Sequence, residues 1–120
     1  VLPIRFKYRP EGMELTWYQI DTDSGEAILE YSIKDNTIHV YIFERNSDSS
    51  IGLQYDGEVL ETGMLESVGV EMPVYRREGS AQGSYYATVF DYLNTSYSIS
   101  AYVSQEEFKK IIENILIKSE

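Results

Sequence analysis

Few residues in this chain have the type and spacing that chemistry requires. There is one histidine, His39, and no cysteine, so thiol nucleophiles, zinc–thiolate sites and iron–sulfur clusters are excluded. A histidine that acts as a general base needs a nucleophile and an orienting carboxylate beside it. His39 instead lies in a strand-like run between Ile38 and Val40, with no serine at a strand-to-helix turn. We interpret it as an ordinary strand histidine.

The twenty Asp and Glu residues could supply an acid–base pair or bind a cation. A glycosidase-like pair needs one carboxyl in an apolar pocket, whereas most acidic residues here fall in predicted turns or on polar strand faces. The segment 21–26 resembles a calcium loop, but an EF-hand has glycine at the sixth position and glutamate at the twelfth. Here Gly25 is fifth and Ser32 is twelfth. The pattern favours an Asx-type hairpin turn, with weak calcium binding at Asp21 and Asp23 left open. We expect no catalytic activity, no metal and no cofactor.

Tyrosine is the most distinctive residue type, with eleven copies against four phenylalanines and one tryptophan. A flat ring with a hydroxyl suits a binding face for a peptide or sugar. The candidate interaction face consists of Tyr85, Tyr86, Tyr92, Tyr97 and Tyr102. The alternative is ordinary sheet packing through cross-strand aromatic pairs, which half-buried strands generally contain.

The elements that would position these residues are mostly strands, because apolar and polar residues alternate along much of the chain. Strands are predicted over 4–8, 13–20, 26–34, 37–45, 72–78, 85–92 and 97–103, with period-two alternation in 4–8, 26–34, 37–45 and 97–103. The second to fourth of these should form a meander. Residues 46–50 are expected to be a polar, mobile loop, and the stretch 51–69 could be helical or extended.

Several face assignments follow from the same alternation. Leu15 and Trp17 should share one face of their strand, and Pro73 indicates an edge strand or a strand start. Ser98 and Ser100 alternate with apolar residues, which predicts that their side of the strand meets solvent.

The C-terminal segment is predicted to be a helix. Ser104 and Glu107 form the spacing of a capping box, in which each side chain binds an amide at the helix start. Apolar residues then recur at helical spacing, namely Phe108, Ile111, Ile112, Ile115 and Leu116. This stripe must be buried against the strands, so one α+β domain spanning residues 1–120 is expected, with six to eight mostly antiparallel strands.

The charge balance restricts the partners. Ten Lys and Arg against twenty Asp and Glu give a formal net charge of −10, which disfavours nucleic acid and anionic membranes. The basic clusters Arg5, Lys7, Arg9 and Arg76, Arg77 do not form a stripe. No apolar run approaches ~18 residues, so membrane insertion by this segment is not expected. The chain starts at Val1, and we interpret it as a fragment cut on its N-terminal side.

The order of these segments resembles an uncharacterised extracellular domain family of Gram-positive bacteria. The similarity rests on the opening Tyr8-Arg9-Pro10-Glu11-Gly12-Met13, on Glu30-Tyr31 and the 38–43 strand, on Tyr97-Ser98-Ile99-Ser100, and on Ser104-Gln105-Glu106-Glu107-Phe108 with Ile111-Ile112-Glu113-Asn114-Ile115. It is patchy over 46–69. Members occur outside a single membrane helix, in proteins similar to anti-sigma factors or lipoproteins.

The resemblance implies a curved antiparallel sheet packed on the C-terminal helix, with distant similarity to lipoprotein-carrier and periplasmic sigma-regulator domains. It also implies a location at the cell surface, tethered by a segment N-terminal to this chain. We therefore expect a non-catalytic extracellular sensing or protein-interaction domain that acts in signalling. The alternative is a small carrier for lipid or another apolar ligand. The partner is an unknown protein or apolar molecule.

Overall fold

Two antiparallel meanders join to make the main sheet. The computed structural model describes residues 4–9, 12–21, 23, 25–33, 36–44, 58–66, 68–79 and 83–117. The elements in chain order are β1 Ile4–Phe6, β2 Glu14–Asp21, β3 Glu26–Ile33, β4 Asn36–Glu44, β5 Val59–Leu65, β6 Val70–Glu78, β7 Ser84–Tyr92, β8 Thr95–Ala101, α1 Gln105–Ile112 and β9 Ile115–Ile117. The α+β class is confirmed.

The sheet has seven strands in the order β2-β3-β4-β8-β7-β6-β5, and all neighbours are antiparallel. The first meander is β2-β3-β4, as predicted, and the second is β5-β6-β7-β8. They meet at the β4–β8 ladder, where Val40 pairs with Ile99. The connection from β4 to β5 therefore carries the chain from the middle of the sheet to its far edge.

The stretch 51–69, which the sequence predicted as either helical or extended, contains a strand in its described part. Residues 59–65 form β5, which pairs with β6 and has an irregular register between Val59 and Glu61. Residues 45–57, including the predicted mobile loop, lie outside the described residues. Pro73 is not on an edge strand, because β6 is second from the edge. The pairing of β6 with β7 begins only at Tyr75, so Pro73 is paired on the β5 side alone.

The core forms where the inward sides of the strands meet α1. Alternation places Ile38, Val40 and Ile42 of β4 on that side, and all three are buried. The predicted helical stripe is confirmed at Phe108, Ile111 and Ile112, which are also fully buried. It is wrong at its end, because α1 ends at Ile112 and the residues Ile115 and Leu116 lie in β9. Removing this apolar area from water is the main stabilising contribution to the fold.

Contacts at one side of α1 fix the helix to the edge strand β5. Gln105 Nε2 donates a hydrogen bond to Glu61 Oε2 at 2.8 Å, and Lys109 Nζ lies 3.4 Å from Glu61 Oε1. One turn further along, the backbone amide of Met64 donates to Glu113 Oε2 at 3.0 Å. These contacts fix the helix axis relative to the strand.

The capping box is confirmed only in its first half. The backbone amide of Glu107 donates to Ser104 Oγ at 3.1 Å, which satisfies one free amide of the helix start. The Glu107 carboxylate, however, accepts a hydrogen bond from the Tyr8 hydroxyl. The acidic side chain therefore joins the helix to the segment after β1.

A bulge overturns the face prediction for β2. Leu15 pairs with Tyr31 but Trp17 pairs with Glu30, so Thr16 is an extra residue in the strand. Tyr31 and Glu30 point to opposite faces of β3, and paired residues share a face. Leu15 and Trp17 therefore lie on opposite faces, because the bulge adds one residue to the period-two alternation.

The prediction that Ser98 faces solvent is also wrong. Ser98 is buried, and Ser100 on the same side is half-buried. The strand β8 is central in the sheet, and Ser98 pairs with Tyr41 on one side and Val89 on the other. A small side chain between two larger ones is covered even on a face without a packed helix.

A two-stranded ribbon of β1 and β9 brings the ends of the sheet together. Ile4, Arg5 and Phe6 pair with Ile117, Leu116 and Ile115 respectively. One side of this ribbon lines a groove with Leu15 near the β2 edge, and the other lines a groove with Met64 and Leu65 at the β5 edge. A flat sheet of seven strands would be roughly 29 Å wide, and adjacent strands are about 5 Å apart. The sheet must therefore curve around the helix and ribbon, which confirms the predicted curvature.

Candidate functional site

The two faces of the curved sheet have different surroundings. The inner face packs on α1 and the ribbon, whereas the outer face points away from both. Residues paired across a ladder share a face, so the registers assign every strand residue to one side. This assignment determines which predicted site residues could act together.

The five tyrosines of the candidate interaction face do not form one face. Tyr86, Tyr92 and Tyr97 lie on the inner face, through pairing with Ala101, Thr95 and Phe90. Tyr85 and Tyr102 lie together on the outer face, with ring centroids 5.2 Å apart. A single binding surface made of all five is therefore incompatible with this sheet. Binding by the outer pair stays a prediction.

Of the inner tyrosines, Tyr97 belongs to the core, and Tyr86 and Tyr92 are partly buried and pack against it. Tyr97 has no exposed surface and stacks on Phe90 with ring centroids 5.0 Å apart and planes inclined by 15°. Burial raises the pKa of Tyr97 to about 12, the nearby Tyr92 adds to the increase, and a hydrogen bond with Thr95 opposes it. Tyr86 lies below the helix, 6.3 Å from the Phe108 ring. The packing alternative therefore accounts for these three residues.

Tyr102 of the outer pair packs against the backbone at Gly79. A Cβ atom added at Gly79 would collide with the Tyr102 hydroxyl and would come within 2.7 Å of the Gly83 carbonyl oxygen. The Gly79 amide also donates to that carbonyl at 2.7 Å. A glycine is required here because the Tyr102 ring packs directly against the backbone.

Two polar contacts join side chains of β3 and β4 on the outer face. The Tyr41 hydroxyl donates a hydrogen bond to Glu26, and burial together with this acceptor raises the pKa of Tyr41 to about 12. His39 is exposed, with Nδ1 3.8 Å from Glu30 Oε2. These are cross-strand contacts of the kind that stabilise a sheet face.

Asp21, Asp23 and Gly25 form the Asx-type turn that the sequence predicts. Asp21 Oδ1 accepts from the Asp23 amide at 3.0 Å, and the Gly25 amide donates to the Asp21 carbonyl at 3.0 Å. Gly25 has a φ of 72°, a conformation that favours glycine. Across the described ranges, no cluster of three or more His, Asp or Glu side chains could hold a metal ion.

The most unusual surface is the edge strand β2, which sequence reasoning did not single out. All eight of its residues are exposed. Four of these are large apolar or aromatic side chains, with exposed fractions of 46% for Leu15, 46% for Trp17, 61% for Tyr18 and 57% for Ile20. In the part of the chain that the structure describes, only β3 pairs with this strand. Its outer edge presents backbone hydrogen-bonding groups beside these side chains.

A signal for this edge was present in the sequence. The run 15–20 is apolar or aromatic at Leu15, Trp17, Tyr18 and Ile20, so it does not alternate as a half-buried strand should. A strand with large apolar residues on both sides is either buried on both faces or exposed at an edge. The sequence alone does not separate these two cases.

The helix α1 has eight residues. No helix among the described residues is long and apolar enough to cross a membrane.

Comparison with known proteins identifies the family of this chain. A search of the curated proteins and one of the solved structures find no significant match to this chain. The family model described as Domain of unknown function (DUF4367) matches residues 3–115, which is nearly the whole chain. The chain therefore belongs to the DUF4367 family.

Proposed function

We propose that this domain is a non-catalytic protein-interaction module, and that the outer edge of β2 is its docking site. The observation that carries the proposal is the exposure of Leu15, Trp17, Tyr18 and Ile20 on one edge strand. Exposed edges are usually blocked by charge, proline or a covering element, because they pair readily with other chains. An edge that keeps four large apolar side chains is suited to binding.

The mechanism is addition of a strand. An extended partner segment hydrogen-bonds to the free side of β2 and places alternate side chains against the two faces of the sheet. Trp17 would contact the partner on the outer face, and Tyr18 and Ile20 on the inner side. Glu14 and Asp21 lie at the two ends of the strand, so a partner with basic residues flanking an apolar run fits best.

The setting is proposed from the family resemblance. We propose that the domain is extracellular and is tethered at the surface of a Gram-positive cell by a segment N-terminal to it. In that setting, strand addition would report the presence of a partner to the tethered protein. Binding rather than bond-making is the proposed event, since His39 is exposed and has only a 3.8 Å contact with a carboxylate.

The alternative function, a carrier for an apolar ligand between helix and sheet, has less support. Phe108, Ile111 and Ile112 are fully buried and fill that space against the inner face. A ligand there would have to displace close-packed side chains. The β2 edge needs no such rearrangement.

The test is capture of a partner by the purified domain from a surface extract of a Gram-positive cell. A double variant, Trp17→Lys with Ile20→Lys, places charge on both sides of the edge and should abolish capture. The matched control is Val59→Lys with Met64→Lys on the opposite edge strand β5, where both side chains are also exposed. Both variants should keep the wild-type melting temperature.

Hydrogen exchange then locates the contact. With partner bound, amides of residues 14–21 should exchange more slowly, while the β5 amides should not change. If the β2 double variant captures the same partner as strongly as wild type, or if protection falls elsewhere, the β2 edge is not the docking site.

A further inference from the structure

A groove between the ribbon and the β2 edge is lined by three basic side chains. It has a volume of about 450 Å³, within the range of small-molecule sites. Its lining combines cations with apolar side chains: Ile4, Arg5, Phe6, Lys7, Arg9, Leu15, Tyr31 and Leu116. This set is called the basic groove below.

The charge of the basic groove is opposite to that of the chain. Three of the ten Lys and Arg residues line it, whereas the whole chain has a formal net charge of −10. Among the described lining residues there is no Asp or Glu. Arg9 Nη2 donates to the Met13 carbonyl at 3.1 Å, and Arg9 forms no ion pair with a described carboxylate. Neither Arg5 nor Lys7 forms an ion pair with a described carboxylate, and both are exposed.

The apolar part of the basic groove lies next to these cations. The rings of Phe6 and Tyr31 make a T-shaped contact, with centroids 5.1 Å apart at an interplanar angle of 83°. Leu15 and Leu116 are both partly exposed at the margin. Arg5 pairs directly with Leu116 across the ribbon, so a cation and an alkyl surface occupy adjacent positions.

We propose that the basic groove binds a long-chain carboxylate, a fatty-acid anion taken up as a monomer. Guanidinium groups bind a carboxylate in bidentate geometry, and the neighbouring alkyl surface would contact the chain. An inorganic anion would leave the apolar side chains without a partner, and a neutral alkyl ligand would leave the cations without one, so both fit the groove less well. A membrane surface is disfavoured because an anionic bilayer repels a chain of this net charge. The proposal does not depend on strand addition at β2.

The test is titration of dodecanoate, below its micelle concentration, into the isotope-labelled domain followed by NMR. Saturable shifts are expected for Leu15, Tyr31 and Leu116. The double variant Arg5→Gln with Lys7→Gln should weaken binding by about ten-fold or more. The control Arg76→Gln with Arg77→Gln removes the same charge from β6 and should leave the affinity within about two-fold, since distant exposed charges are screened.

Two further ligands separate the contributions of charge and chain. Acetate, which has no alkyl chain, and dodecyl maltoside, which has no charge, should each bind at least about ten-fold more weakly than dodecanoate. Equal affinity for dodecyl maltoside, or an unchanged dodecanoate affinity in the Arg5/Lys7 variant with its melting temperature retained, would overturn the proposal. Sedimentation with phosphatidylglycerol vesicles but no binding of dodecanoate would also overturn it, in favour of a membrane surface.

Discussion

At the scale of single residues, two buried threonine hydroxyls on the inner face differ in whether they have a hydrogen-bond partner. Thr88 lies on β7 below the helix, is fully buried, and has the only buried side-chain oxygen of the described residues without a hydrogen-bond partner. Thr95 is also buried, but its Oγ1 donates to the Leu93 carbonyl at 3.4 Å. A polar group that is buried without a partner loses its hydration and gains nothing in return.

Replacing Thr88 by valine should therefore raise the free energy of unfolding by about 1 kcal/mol, because the shapes match and the unpaired hydroxyl is removed. Urea unfolding monitored by circular dichroism measures this change. The matched variant Thr95→Val removes a hydroxyl that has a partner and should not stabilise. If Thr88→Val lowers stability as much as Thr95→Val does, the Thr88 hydroxyl has a role that its surroundings do not show.

Tyr97 predicts how stability depends on alkaline pH. Its pKa is raised in the folded state to about 12 from about 10 in an unfolded chain. The unfolded state therefore loses its proton first, so the stabilising contribution is full below pH ~10 and is lost as pH rises towards ~12. Tyr41 titrates in the same direction. The urea concentration at the unfolding midpoint should therefore decrease as the pH is raised from ~10 to ~12.

The variant Tyr97→Phe should have a smaller fall in midpoint over the same pH range, since it removes one of the tyrosines whose pKa is raised in the folded state. Phenolate absorbance would follow the titration independently. A midpoint that is constant from pH ~9 to ~12 in the wild type would contradict the proposed burial of the two hydroxyls.

The elements are specified locally, and the helix is the clearest example. Its start is fixed by Ser104 and its buried side by the stripe Phe108, Ile111 and Ile112. The hairpin between β7 and β8 is equally local, with Leu93 and Asn94 at φ values of 48° and 61°. Two consecutive positive φ values match the tight turn that joins twisted antiparallel strands.

Ser104→Ala should lower the free energy of unfolding by about 1 kcal/mol, because the Glu107 amide loses its acceptor at the helix start. Ser104→Asp keeps an acceptor and serves as the control, with stability near wild type. Both are measured by urea unfolding. No loss in the alanine variant would mean that water replaces the serine hydroxyl at no cost.

The same local signals explain how far the sequence could predict this structure. Alternation predicted most of the strands, since most of them bury one side, and the meander β2-β3-β4 was predicted although all eight residues of β2 are exposed. It did not predict the sheet order, because the pairing of Val40 with Ile99 depends on which distant strands meet. The bulge at Thr16 and the burial of Ser98 also depend on neighbours across ladders. The β2 edge and the basic groove were missed for that reason: each is made by elements that are brought together only in the folded chain.

The whole molecule combines a strong net negative charge with one basic groove. A formal net charge of −10 on 120 residues destabilises the compact state through repulsion between its carboxylates. Salt reduces this repulsion over distances beyond the screening length, about 10 Å at 0.1 M. Stability should therefore depend on ionic strength.

Raising NaCl from low concentration to about 0.5 M should increase stability by about 1 kcal/mol, or a few degrees in Tm. Differential scanning calorimetry at neutral pH measures the shift, and KCl should give the same result if general screening is the cause. A decrease in Tm with salt would show that attractive ion pairs, such as Lys109 with Glu61, outweigh the repulsion.

The ribbon has a consequence for the rate at which the chain folds. Ile4 pairs with Ile117, so the ribbon forms only after nearly the whole described chain has been brought together. The β4–β8 ladder likewise joins strands separated by three others. Contacts between residues so distant in sequence must overcome the entropy of closing large loops, and proteins rich in them fold in milliseconds to seconds rather than microseconds. The two hairpin arrays can each form early, and the strands that meet last are those that line the basic groove.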